Sequence, residues 1–81
     1  MMIAVRLFGP ARERAGEAVA ELSLDPPVRA GAVLEALAAT RPALTELIAH
    51  SRLAANEEFC TPDTPIAETD RLALIPPVAG G

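Results

Sequence analysis

Met2-Ile3-Ala4-Val5-Arg6-Leu7-Phe8, near the start, and Arg71-Leu72-Ala73-Leu74-Ile75, near the end, are the stretches that decide how this chain folds. In the first, Ile3, Val5 and Leu7 alternate with Ala4, Arg6 and Phe8. A period of two marks a strand, because successive side chains of an extended backbone point to opposite faces. Arg6 labels the solvent face, so Ile3, Val5 and Leu7 are expected in the core. Arg71 does the same for the second stretch, turning Leu72 and Leu74 inward and Ala73 and Ile75 outward. These are the most apolar strands of the chain, which predicts that they lie centrally and side by side.

Working outward, Gly9-Pro10 breaks the first strand, and Pro10 suits the opening of a short helix, Pro10–Ala15, that ends at Gly16. Glu17–Leu24 alternates again, with Ala18, Ala20, Leu22 and Leu24 on one face, until Asp25-Pro26-Pro27 stops it. Val33, Leu34, Leu37 and Ala38 recur at helical spacing and predict the main helix over Ala30–Thr40. Leu44, Leu47 and Ile48 predict a second helix over Pro42–His50. Leu53–Asn56 reads as a short strand, Asn56-Glu57-Glu58 as a turn and Phe59–Thr61 as its return strand. Pro62–Asp70, rich in Pro, Thr and Asp, reads as loop. Strands flanking one helical block predict an α+β domain with helices on one face of a mixed sheet. With the first and last strands adjacent, that is the β-grasp or ubiquitin-like arrangement, residues 1–75, followed by an extended tail, residues 76–81.

Composition narrows the function. Eighty-one residues, 51% of them hydrophobic, make one small domain whose core is thin but sufficient. No apolar run approaches the roughly 18 residues of a membrane span, and Arg12-Glu13-Arg14 follows too soon for a secretory leader. With one cysteine and so no internal disulfide, the expected location is the cytoplasm. Seven basic residues against eleven acidic ones give a net charge of −4, which argues against nucleic acid or an anionic membrane as partner. Lysine is absent, so no Schiff base, P-loop lysine or lysine base exists here. Phe8 and Phe59 are the only aromatics and build no base-stacking platform.

No self-contained active site is legible. One His and one Cys cannot supply a zinc site, and the glycines form no phosphate loop. His50 and Ser51 are helix neighbours that point apart; His50 is expected to favour the dipole at a helix end. Glu57-Glu58 reads as a solvated turn tip. Cys60 is expected to pack as a small hydrophobe beside Phe59. Any chemistry must therefore come from something other than a side-chain constellation.

The chain closes on Ile75-Pro76-Pro77-Val78-Ala79-Gly80-Gly81. Two prolines hold Ile75 and Pro76 extended, so the tail is expected to leave the sheet as a stiff rod reaching about 20 Å. Gly80 and Gly81 present no side chain and suit a channel too narrow for a Cβ, delivering the Gly81 carboxylate. A merely frayed end needs neither the double proline nor the apolar Val78-Ala79.

Val5-Arg6-Leu7-Phe8-Gly9 with Ala11-Arg12-Glu13 and Ala15-Gly16, then Ala55-Asn56-Glu57-Glu58, then Leu74-Ile75-Pro76-Pro77-Val78-Ala79-Gly80-Gly81 resemble the small-subunit family of molybdopterin synthase, ubiquitin-like sulfur carriers. The resemblance covers the whole chain, and the ending is its most specific part. It implies that an activating enzyme adenylates the Gly81 carboxylate with ATP and that a sulfur donor displaces AMP to leave a thiocarboxylate. The tail then enters the large subunit, where sulfur passes to cyclic pyranopterin monophosphate. Gly80 and Gly81 are thus the implied catalytic residues. Two small subunits on a large-subunit dimer are the implied assembly, and the chain itself is expected to bind no cofactor.

The strand faces add a partner surface. Phe8 and Ile75, outward on neighbouring strands, are expected to form an apolar patch at the base of the tail. Phe8, Ile75, Pro76, Pro77, Val78 and Ala79 are the expected partner contacts. Arg12 matches a family arginine of the partner surface and is expected to meet an acidic residue there. The alternative for Phe8 is cover by the Pro62–Asp70 loop. Two other functions keep the same fold and tail: a ubiquitin-like protein modifier, or a sulfur carrier for thiamine or cysteine biosynthesis.

Overall fold

The computed structural model describes residues 1–76. Seven strands and three helices follow in the order β1 (Met2–Arg6), α1 (Gly9–Ala15), β2 (Val19–Ser23), β3 (Val28–Arg29), α2 (Ala30–Thr40), α3 (Thr45–Ala49), β4 (Arg52–Ala55), β5 (Glu58–Phe59), β6 (Pro65–Ile66) and β7 (Leu72–Ile75). Five of the strands form one mixed sheet, ordered β2-β1-β7-β4-β5. β7 occupies its centre and pairs parallel with β1, Val5 opposite Leu72 and Arg6 opposite Ala73. The other pairs are antiparallel. This is the expected α+β, ubiquitin-like β-grasp sheet, with the first and last strands adjacent.

The alternation read from sequence is the alternation of burial. Ile3, Val5 and Leu7 are buried from β1 onward, Ala20 and Leu22 from β2, Leu53 from β4, and Leu72 and Leu74 from β7. Val33 and Leu37 of α2 close over this inner face together with Leu44. Among the described residues the core contains no buried polar or charged side chain. Gly16 ends α1 at φ +72°, the left-handed conformation that its missing Cβ makes inexpensive.

Four details depart from the sequence reading. Pro65–Ile66, expected as loop, pairs with Val28–Arg29. Ile66 is an apolar side chain in a polar stretch, and this pairing buries it. The same segment serves α2, whose N-cap position, Arg29, makes no side-chain cap. The orphan N–H groups of Ala30 and Gly31 donate instead to Thr64 O and Pro62 O, both at 2.9 Å. A Cβ on Gly31 would meet that Pro62 oxygen at 3.3 Å, so glycine permits the approach.

The second helix is broken into a 3₁₀ turn, Pro42–Leu44, and α3. Leu44 N donates to Arg41 O at 2.9 Å, and this tighter winding drops Leu44 into the core. The return strand is Glu58–Phe59 rather than Phe59–Thr61. Finally, Cys60 does not lie beside Phe59. Adjacent strand residues face apart, so Cys60 packs against the core while Phe59 is exposed.

Candidate functional site

All three helices pack on one side of the sheet, and the other side is open. The large hydrophobics that remain exposed are Met2 (54%), Phe8 (47%), Val19 (43%) and Phe59 (57%). They share that open face. Met2 alternates with Ala4 and Arg6 along β1; Val19 pairs with Arg6 from β2; Phe59 pairs with Ala54 from β5. Small residues occupy the middle, Ala73 of β7 lying opposite Ala54 of β4. Bulk at the edges and alanine at the centre make the face concave.

It holds a groove of about 310 Å³ whose walls include Arg6, Phe8, Ala54, Glu57, Arg71, Ala73 and Ile75. Parallel pairing of β1 and β7 brings the C-terminal ends of both strands to the same edge of the sheet. Phe8, just beyond β1, and Ile75, the last residue of β7, therefore line the groove together at that edge. Phe8 is not covered by the Pro62–Asp70 segment, which crosses to α2 instead. Ile75 and Pro76 are half-buried. Arg12, exposed on α1, shares a smaller hollow with Arg6, Phe8 and Val19. Pro77, Val78, Ala79, Gly80 and Gly81, the remaining expected contact and catalytic residues, lie outside the described residues.

One rim of the groove is held by a tight turn. Asn56 and Glu57 link β4 to β5 with φ of +51° and +71°. Positive φ at both central positions is the turn that matches strand twist, and Asn is at home there while Glu is not. Side chains tie this turn to the start of β7. Asn56 Nδ2 donates to Asp70 Oδ1 at 2.9 Å, and Arg71 N donates to Asn56 Oδ1 at 3.0 Å. Ala67 N donates to Asp70 Oδ2 at 2.8 Å. The Ala67 amide, with the Asn56 amide second, holds the Asp70 carboxyl below the usual carboxylate range.

Charge around the groove is mainly positive. Among the described residues the one ion pair is Arg41–Glu17 at 2.7 Å, in which the guanidinium hydrogen bond lowers the Glu17 pKa. The side chains of Arg6, Arg12, Arg52 and Arg71 have no such partner among those residues; that of Arg52 stacks 4.2 Å from the Phe59 ring centre. An aromatic anchor beside an arginine rim is the composition of a docking surface.

Cys60 lies elsewhere, lining a separate hollow of about 300 Å³ with Ala30, Leu34 and Leu53. Burial pushes its thiol up and depletes the reactive thiolate. Ser51 Oγ donates to Leu47 O at 2.6 Å and so serves the end of α3 rather than His50.

The sequence reading found Phe8, Ile75 and their adjacency but missed Val19, Ala54 and Phe59 on the same face. For Ala54 the signal was available, since alternation from Leu53 turns it outward. For Phe59 it required the two-residue turn, which sets the register opposite Ala54.

Solved structures share this architecture. The crystal structure of SAMP1, a small archaeal modifier protein of Haloferax volcanii, superposes over 100% of both chains with a TM-score of 0.86 and 29% identity. A chain of the protein–protein complex of subunits 1 and 2 of molybdopterin-converting factor from Helicobacter pylori is also similar. There both chains are covered to 100%, with a TM-score of 0.70 and 27% identity. In sequence, the chain is 38% identical to the molybdopterin synthase sulfur carrier subunit of Arabidopsis thaliana, over 98% of this chain and 82% of that protein. A sequence model of the ThiS family matches residues 5–81, nearly the whole length, and the chain belongs to that family.

Proposed function

We propose that this chain is the sulfur carrier subunit of a molybdopterin synthase. The observation that carries the reading is the groove in which Phe8 and Ile75 lie beside Arg6 and Arg71 at the end of β7. Support comes from the 38% identity to the Arabidopsis sulfur carrier subunit and from likeness to the Helicobacter complex of subunits 1 and 2. In this reading the large subunit covers the groove, with Phe8, Ile75, Pro76, Pro77, Val78 and Ala79 as contacts and Arg12 meeting an acidic partner residue. Gly80 and Gly81 carry the chemistry.

The Gly81 carboxylate is a poor electrophile, so an activating enzyme first joins it to AMP, consuming ATP and releasing pyrophosphate. Sulfur released by the donor as hydrosulfide then attacks the carbonyl carbon; a C–S bond forms, the C–O bond to AMP breaks, and a thiocarboxylate remains. Within the large subunit its sulfur attacks a carbon of the pterin precursor, a C–S bond forming as a C–O bond of the precursor breaks; water then cleaves the acyl C–S bond, leaving the sulfur on the pterin and a free Gly81 carboxylate. The chain's own part is to bind, orient and deliver, and it needs no resident cofactor.

A second reading has an observation in its favour. The likeness to SAMP1 supports a ubiquitin-like modifier, in which the same activated Gly81 ends in an amide to a target amine. The test is intact mass after incubation with an activating enzyme, ATP and a sulfur donor, with thiocarboxylate-specific alkylation and a Gly81-deleted control. Alkylation at Gly81 that disappears with large subunit and pyranopterin is the expected result. Alkylation that this acceptor cannot discharge would move the carrier to another pathway, such as thiamine or cysteine biosynthesis. Conjugate ladders in a denaturing gel would favour the modifier.

A further inference from the structure

Among the described residues, Gly9, Gly16, Asn56 and Glu57 hold a positive φ. Gly9 (+49°) and Gly16 (+72°) carry no Cβ, and Asn56 (+51°) belongs to the few other residue types that visit the left-handed region readily. Glu57, at +71°, is the exception. In a two-residue hairpin turn with both φ positive, the residue after Asn is ordinarily glycine. No contact within the fold explains the carboxylate. Glu57 is exposed and forms no ion pair among the described residues. The side-chain hydrogen bonds of the turn run through Asn56 instead.

Glu57 does stand in the wall of the groove that holds Arg6, Phe8, Arg71 and Ile75, and it is the one acidic residue among those described there. Its place is fixed. Asn56 N donates to Arg71 O at 2.8 Å, and the Asn56 side chain bridges the Asp70 carboxylate and Arg71 N. A backbone outlier with no role inside the chain, held firmly at the rim of a docking groove, argues for a role in docking.

We infer that Glu57 is a specificity-determining residue of the groove, held out by its strained turn to receive a basic side chain, arginine or lysine, of the large subunit. The inference rests on the proposed pairing with that subunit. Arg6 and Arg71 share the groove with Glu57, yet none of the three is neutralised by an ion pair among the described residues. The groove therefore carries charges of both signs at separate places. A matching surface presents an acid to the arginines and a base to Glu57. A shifted or reversed docking sets like charges together and is rejected, so the mixed rim fixes orientation as well as partner. A carboxylate carried on a tight, side-chain-tied turn also has less freedom to lose on binding than one on a mobile loop.

The test titrates the full chain with the large subunit by calorimetry at low and high salt, and reads Tm by circular dichroism. Glu57→Gln keeps the strained backbone and removes the charge, whereas Glu57→Gly removes both. Glu58→Gln is the control of equal charge change. Glu58 pairs with Ala55 while Phe59 pairs with Ala54, so its side chain leaves the opposite face of the sheet. Both Glu57 variants are expected to bind about fivefold more weakly at about 50 mM salt, a loss that shrinks below about twofold at about 0.5 M. Tm should be unchanged in Glu57→Gln and higher in Glu57→Gly, so that in the glycine variant stability and affinity move in opposite directions. Glu58→Gln should bind within about twofold of wild type. Wild-type affinity in Glu57→Gln would overturn the inference, as would an equal loss in Glu58→Gln, which reports net charge alone. A wild-type chain that fails to bind the large subunit would refute the proposed function and this inference together, so the two failures are told apart.

Discussion

Phe8→Ala separates what an exposed aromatic does for the fold from what it does for a partner. Phe8 is 47% exposed, so its own chain hides about half of the residue. A phenylalanine presents roughly 200 Å², which leaves about 100 Å² hidden in the domain and about 100 Å² open to a partner. At ~25 cal/mol per Å², each half corresponds to at most about 2.5 kcal/mol, and about 2 once the retained Cβ and a compact unfolded chain are allowed for. The variant should therefore unfold about 2 kcal/mol more easily, a fall of ~1–2 M in the urea midpoint. It should also bind the large subunit about 30-fold more weakly. Circular dichroism is the right probe of unfolding because the chain has no Trp or Tyr, and calorimetric titration reads the affinity. A Kd within about threefold of wild type, alongside the lower urea midpoint, would refute the groove as a docking site. A loss of stability beyond about 4 kcal/mol would show instead that Phe8 is a core residue.

Three further outcomes follow from the same geometry. Ile75→Asp should abolish the heterodimer in size-exclusion chromatography yet leave a folded domain, because the new carboxylate faces solvent opposite Arg52; retained binding would sink the patch. Glu57→Gly should raise stability by about 0.5–1 kcal/mol, roughly 4 °C in Tm, since Glu57 holds φ +71° at a cost that glycine avoids; an unchanged or lower Tm would contradict the turn. The carboxyls of Glu17 and Asp70 titrate lower in the folded chain than in the unfolded one, where they sit near about 4.3 and 3.9. Their contribution is therefore complete above about pH 5 and lost as pH falls through about 4 and then the lower folded values. Glu17→Gln with Asp70→Asn should flatten Tm against pH over that range, and parallel curves for variant and wild type would refute the assignment.

Much of the fold is legible in short-range periodicity. Alternation at Met2–Phe8 and Arg71–Ile75 marks strands and sorts each residue to a face. The Ala30–Thr40 spacing marks a helix that the structure reproduces to the residue. These patterns are local consequences of backbone geometry and need no knowledge of neighbours. Segments whose structure depends on distant acceptors were opaque. Pro65–Ile66 becomes a strand only because Val28–Arg29 and the open N-terminus of α2 lie beside it.

By itself, the sequence determined the two central strands, their inward and outward faces and the absence of lysine. Covalent structure and side-chain period suffice for those. Tertiary structure alone decided that Val19, Ala54 and Phe59 join Phe8 and Ile75 on one concave face. It alone set four arginines around the tail's root and left Cys60 on the other side. Which strands meet, and in what register, depends on burying the whole apolar set at once, a non-local condition that no single stretch of the chain encodes.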